Sequence, residues 1–312
     1  MRQVRGCRGR FHGTGCCVAA LGLLWAAAWG SRAVAAPITF NTALPVATQQ
    51  FVFRERFVRV HSTGDVTPAN RDLTASGAIS VLAYGVTPDF ALFGIAPWFD
   101  KRLELNMGGG RIARSTGGGL GDVTLLGRYT AYRYDGPGVN LRVAPYAGVQ
   151  APTGSDDVRD ALGLLPRPLQ PGSGAWDPIV GLVATYQTLP YEVDGQFSYK
   201  ATTAAGGFRF GNSAELDGSL QYRLWPRRLG SGLPAFVYGV MEFNLVHQDR
   251  NEINGVADPN SGGTTLSLAP GLQYVTRTWI LEAAVQVPVA QNLNGSGLMN
   301  DYVVNAGFRI NF

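Results

Sequence analysis

The chain has 312 residues, 46% of them hydrophobic and 15% charged, with 41 Gly and a formal net charge of +4. The positive excess is confined to the start. Five arginines and no acid in residues 1–35 turn 26 Lys+Arg against 22 Asp+Glu into 21 against 22 for the remainder. That remainder has no basic footprint for a nucleic-acid partner.

In chain order, Arg2, Arg5, Arg8 and Arg10 precede an apolar run from Cys17 to Trp29 and the small-x-small triplet Ala33-Val34-Ala35. This pattern predicts an export signal cut after Ala35, because the apolar run falls short of the roughly 20 residues a transmembrane helix needs. Cys7, Cys16 and Cys17 are the only cysteines, so the expected mature chain needs no disulfide in an oxidising compartment. Residues 36–49 are expected to form a periplasmic or lumen segment, and they are long enough to enter a lumen. Residues 50–312 are expected to form a single domain.

From there on, no window holds 18 consecutive apolar residues. Segments of about ten alternating residues recur instead, each followed by turn chemistry, which is the pattern of a membrane β-barrel. Strands are expected near 50–61, 73–86, 90–98, 120–134, 139–151, 176–188, 191–203, 213–224, 235–247, 264–276, 278–289 and 302–312. The fold class is therefore an all-β, antiparallel, up-and-down transmembrane barrel of about 12 strands. The first strand is awkward, since Glu55 shares a phase with Phe51, Phe53 and Phe57; a bulge or a polar contact is needed there. Connections after even-numbered strands are short (Thr87-Pro88-Asp89, Leu189-Pro190), and those after odd-numbered strands are long (99–119, 152–175). That alternation puts both termini in the periplasm. Tyr186, Tyr191, Tyr222, Tyr274, Trp279 and Phe312 would ring the periplasmic interface, and Trp176, Tyr199 and Tyr302 the outer one.

The phase of each strand sorts its charges. Asp122, Glu192, Asp194, Glu215, Asp217 and Glu242 are expected to line the pore, as are Arg128, Arg142 and Arg309, with Arg54, Arg56, Asp177, Lys200, Arg223 and Glu282 also inward. Acids gather on strands seven to nine and bases on strands one, four, five and twelve. Two readings stay open: a transverse field across the pore, or local neutralisation. In the second, strands seven and eight would pair about Gly206-Gly207-Phe208, so that Glu192 faces Arg223 and Lys200 faces Glu215. The Leu-rich stretch from Ala161 to Leu169 is expected either as a lid over the outer mouth or as a contact for lipopolysaccharide.

At the C-terminus, Tyr302, Val304, Ala306, Phe308, Ile310 and Phe312 share one face. A terminal Phe closing such a strand resembles the signal read by the barrel-assembly machinery, which would use Tyr302, Phe308, Ile310 and Phe312. Three further stretches carry a family resemblance: Gly119-Leu120-Gly121-Asp122-Val123-Thr124 followed by Arg128-Tyr129; Ala151-Pro152-Thr153-Gly154; and Gly172-Ser173-Gly174-Ala175-Trp176-Asp177 running into Gly181-Leu182. In this order they resemble the outer-membrane family named after the meta-pathway of phenol degradation, whose members are described as transporters. The resemblance implies a barrel and transport, and it carries over no agreed binding residues.

Twelve strands enclose less than the sixteen to eighteen of a wide channel and more than the eight that side chains fill, which implies a narrow or partly plugged pore. The expected function is an outer-membrane channel or transporter for small hydrophobic or aromatic solutes. The rivals are a structural or adhesive barrel with a filled lumen and, third, a lipid-modifying enzyme. The only histidines outside the signal, His61 and His247, lie at outer strand ends without a serine at readable spacing, so no catalytic residue, metal site or cofactor is expected. The expected surroundings are outer-membrane lipid and lipopolysaccharide.

Overall fold

The structure, a computed structural model, describes residues 35–228 and 235–312; the expected export segment lies outside the described residues except for Ala35. Twelve strands form one antiparallel, closed barrel. They are β1 (Phe51–Ser62), β2 (Asp72–Gly85), β3 (Phe90–Met107), β4 (Thr124–Tyr129, resuming as Tyr132–Gly136), β5 (Val139–Gln150) and β6 (Asp177–Thr188). They continue as β7 (Tyr191–Lys200), β8 (Ser213–Trp225), β9 (Ala235–Gln248), β10 (Gly263–Thr276), β11 (Trp279–Leu293) and β12 (Tyr302–Asn311). Each strand pairs with the next, and closure comes from a ladder between β1 and β12 running from Val52↔Asn311 to His61↔Tyr302. Closure follows from the solvent: hydrocarbon offers no partner for an edge amide, so a spanning sheet has no edge.

Burial is inverted relative to a water-soluble protein. Leu125, Leu182, Phe197, Leu216, Leu272 and Leu281 are exposed, whereas Glu192, Asp194, Gln221, Glu242 and Gln273 are buried. The outward face is apolar for lipid and the interior is polar. Aromatics collect at strand ends as expected: Tyr186 stacks near Tyr191 at 6.2 Å, Tyr274 near Trp279 at 5.5 Å, and Phe51 near Phe312 at 5.8 Å.

Three expectations are corrected. First, β3 does not stop at 98. It continues to Met107 and folds back through Gly110–Ser115, with Met107 facing Gly110 across a tip where Gly108 has φ +32°. Part of the expected loop 99–119 is therefore a β-ribbon standing above the membrane. Second, the expected strand 120–134 is broken. Gly119–Leu120 pairs with β3 separately, and against β5 the register changes by one residue across Thr130 and Ala131; an extra residue of this kind is a bulge. Third, Glu192 faces Gln221 and Lys200 faces Ser213, so neither expected β7–β8 ion pair stands opposite. Gly206 (φ +57°) and Gly207 (φ +76°) both occupy left-handed conformations at the hairpin tip. A two-residue turn with positive φ at both central residues sets the register two residues away from the expected one.

β1 itself carries no bulge, and its register with β2 is unbroken. Glu55 does point outward with Phe53 and Phe57, and the polar contact is supplied by Ser80, whose hydroxyl donates to the carboxylate at 2.7 Å. A carboxylate on the lipid face of a barrel is destabilising in a depth-dependent way. Replacing both partners (Glu55→Leu with Ser80→Ala) is therefore expected to raise stability by roughly 1 kcal/mol in urea unfolding of the lipid-refolded barrel. A loss of stability would contradict a lipid-facing pair.

The long loops pack on one another. Asp65 accepts from the Arg71 guanidinium at 2.7 and 2.9 Å and from the Thr67 and Arg71 amides, and Arg71 also donates to the Ser296 carbonyl in the last outer loop. Hydrogen bonding by Arg71 holds the Asp65 carboxyl well below the usual carboxylate range. A depressed folded value contributes stability above the unfolded value near 4 and loses it only as pH falls through the folded one. The loop is therefore expected to resist trypsin after Arg71 uniformly between about pH 5 and 8, and Asp65→Asn to be nicked there throughout. Equal resistance of the variant would remove Asp65 from the clasp.

Candidate functional site

The lumen is the polar interior of this fold, and its charges are segregated. The inward phase of β7 to β9 presents Glu192, Asp194, Asp217 and Glu242, each buried. The inward phase of β1, β4, β5 and β12 presents Arg54, Arg56, Arg128, Arg142 and Arg309. Between these walls runs the chain that precedes β1. Ile38 and Ala43 are fully buried, so this segment occupies the lumen.

Its backbone is held by both walls. On the acidic side, Glu242 accepts from the Ile38 amide (2.6 Å), the Thr39 amide (3.0 Å) and the Thr39 hydroxyl (2.6 Å), while Thr185 accepts from the Ala43 amide at 2.8 Å. The Thr185 hydroxyl in turn donates a hydrogen bond to Asp194. On the basic side, Arg54 donates to the carbonyls of Pro37 (3.1 Å) and Ile38, Arg56 to Thr39 (2.8 Å), and Arg128 to Thr42 and to Leu44 (2.6 Å). Peptide N–H groups thus point to the carboxylates and C=O groups to the guanidiniums. An extended segment makes no ladder here, so these side chains supply the partners its buried backbone requires. Gln273 completes the set by donating to the Ala36 carbonyl at 2.5 Å. At the far end, Thr48 bridges Gly85 beside the β2–β3 turn.

The sequence-derived site residues fall into groups. Glu242, Asp194 and Arg128 meet the lumen segment directly or through one hydroxyl. Asp217 supports it from behind, since Asn244 donates both to Asp217 (2.8 Å) and to the Thr39 hydroxyl (2.9 Å). Glu192 is buried beside Asp194 and accepts from Gln187 at 2.6 Å. Arg142 turns to Asp135 at 2.6 Å near the short-turn end. Glu215 lies further along β8, facing Ser198. Arg309 stands directly opposite Arg54 across the closing ladder. Asp122 stands apart at the rim. It accepts from the Gly154 amide (2.9 Å), the Ser173 amide and hydroxyl (2.7 Å each) and Gln150 (3.2 Å). The three glycine-rich stretches noted in the sequence therefore converge on one carboxylate that ties two outer loops together. The Leu-rich stretch is split: Leu165 and Leu169 are buried, while Leu162 and Leu164 are exposed.

Neutral residues missed in the sequence reading carry much of the site: Thr39, Thr185, Asn244, Gln221 and Gln273. Strand phase turns Thr185, Gln221, Asn244 and Gln273 inward, whereas Thr39 lies in a segment with no strand period. His61 and His247 face outward at the long-loop ends, with Nδ1 3.3 Å from the Thr74 hydroxyl and 2.8 Å from the Thr264 hydroxyl, respectively.

Residues 41–292 match the model of the family described as "Putative MetA-pathway of phenol degradation". No curated protein matches the chain. Among solved structures, an outer membrane channel from Pseudomonas putida F1 superposes with a TM-score of 0.61 at 15% identity, covering 86% of this chain and 98% of that one. The β domain of the Bordetella autotransporter BrkA gives a TM-score of 0.46 at 13% identity, covering 85% and 100%.

Glu242→Ala removes the acceptor of two backbone amides. It is expected to loosen the lumen segment and raise single-channel conductance several-fold, with heat-modifiable migration on gels showing that the barrel still folds. Unchanged conductance in the folded variant would mean that Glu242 does not hold the segment.

Proposed function

Since the chain belongs to this phenol meta-pathway family, we propose that it is a channel of the bacterial outer membrane for small, apolar or aromatic solutes. The observation that carries this reading is the nature of the obstruction. The lumen is crossed by one extended segment held by side chains rather than by a sheet or a packed domain, and an open cavity of about 400 Å³ remains beside it. Displacing such a segment would break no ladder between barrel strands. Export by a signal cut after Ala35 belongs to the same proposal, and it makes Ala36, held by Gln273, the first residue inside the lumen. So do folding by the barrel-assembly machinery through Tyr302, Phe308, Ile310 and Phe312, and contact of the outer loops with lipopolysaccharide. The proposed pore-lining set is Asp122, Arg128, Arg142, Glu192, Asp194, Glu215, Asp217, Glu242 and Arg309, with Asp122 acting at the outer mouth.

The rival is a structural barrel with a filled lumen, favoured by the complete burial of Ile38 and Ala43. His61 and His247, each beside a threonine hydroxyl and within 4 Å of a carboxylate (Asp72 and Asp301; Asp249), face outward away from the lumen, so the channel reading uses neither. Planar-bilayer recording separates the two readings. A channel gives steady low conductance that rises when residues 36–48 are deleted. Silence in both the intact and the deleted protein would favour the filled barrel.

A further inference from the structure

The cavity beside the lumen segment has an unusual charge balance. It opens at the short-turn end and is lined by five arginines (Arg54, Arg128, Arg133, Arg142 and Arg309) and by no Asp or Glu. Three of the five have carboxylate partners beyond the lining: Arg54 with Glu282 at 2.6 Å, Arg142 with Asp135 at 2.6 Å, and Arg133 with Asp89. Arg128 spends its donors on neutral carbonyls of the lumen segment and stacks over the Phe93 ring at 4.8 Å. Among the described residues, Arg309 makes no ion pair and its guanidinium no hydrogen bond. Of the carboxylates, Glu282 on neighbouring β11 acts on it most, ahead of Glu192 and Asp194 across the lumen, and Glu282 is already bound by Arg54.

Arg309 also meets like charge, with Arg54 directly opposite across the ladder and Arg128 close enough to oppose its charge. Like charges directly opposed on a sheet destabilise it, and the half-buried Arg309 guanidinium keeps its donors free for a ligand acceptor. The rest of the lining offers only neutral polar groups (Asn41, Thr42, Thr48 and Asn311) and an apolar part that includes Val52, Val81, Ala83 and Phe93. The volume, about 400 Å³, falls in the range of small-molecule sites.

We infer that this cavity is a binding site for an organic monocarboxylate with a small apolar body. The carboxylate sits on Arg309, with Arg128 contributing charge, and the body lies against Phe93 and Val81. Arginine presents a planar fork that matches a carboxylate's two oxygens. The inference rests on the reading of the barrel as a solute route and adds that the favoured solute is an anion.

The test is titration calorimetry of the refolded barrel in detergent, with benzoate as probe and benzyl alcohol as its uncharged counterpart. Saturable benzoate binding is expected, at least tenfold tighter than benzyl alcohol, lost in Arg309→Met and partly retained in Arg309→Lys. Heat-modifiable migration checks that each variant folds. If Arg309→Met does not fold, Arg309→Gln takes its place. Equal binding of the two probes, no benzoate binding, or undiminished binding in the folded Arg309 variant would overturn the inference. Bilayer recording on the same preparation keeps the two claims apart. A conducting protein indifferent to benzoate sinks the carboxylate site alone, and a silent protein that binds benzoate sinks the channel alone.

Discussion

Every backbone amide that crosses hydrocarbon must find its partner inside the protein, and in this chain the β1–β12 ladder meets that demand for the two strands that would otherwise be edges. The rest of the architecture follows from it. Once the sheet closes, its outer face must be apolar to match lipid, and polarity is displaced to the interior. The interior of twelve strands is too wide for side chains alone to fill. A polar, partly empty lumen is the consequence of closure, and the pre-barrel segment is what occupies it.

That segment answers a second instance of the same constraint. Residues 36–48 bring a dozen peptide groups into a space with no neighbouring strand. The barrel satisfies them by segregating charge: Glu242 on β9 and Thr185 on β6 accept from the amides, with Asp194 on β7 and Asp217 on β8 behind them, while guanidiniums on β1 and β4 donate to the carbonyls. The transverse field and the local-neutralisation readings of the sequence both contain part of this. Most acids and bases stand on opposite walls, Glu282 beside Arg54 being an exception, and much of their neutralisation passes through the polypeptide threaded between them. Arg54, which joins Glu282 to the carbonyls of Pro37 and Ile38, does both at once.

The period-two pattern made strand number, sidedness and most inward charges legible, because lipid enforces alternation at every rung. Register was less legible. Slipping β7 against β8 by two residues keeps every side chain on its proper face, so hydrophobic patterning is blind to it; the decision rested on which residues of Gly206-Gly207-Phe208 form the tip. The β3 extension to Met107 was hidden because outside the membrane no apolar face is required, and the alternation signal ends there. The phase of an unbroken strand over 120–134 turns Asp122 inward, yet it sits where β4 has not begun, and loop amides of Gly154 and Ser173 claim it. The lumen segment had no strand pattern to announce it. Its length was readable, but its partners Thr185, Asn244 and Gln273 were not, since a neutral polar residue at an inward position is unremarkable in any barrel.

The closure claim is open to direct measurement by amide hydrogen exchange of the protein refolded into lipid bilayers. The closed barrel predicts that β1 and β12 amides, from Val52 to His61 and from Val303 to Asn311, exchange as slowly as those of central β8 and β9. Rapid exchange along β1 and β12, with protection confined to the interior strands, would mean an open sheet with two free margins and would contradict the account at its base.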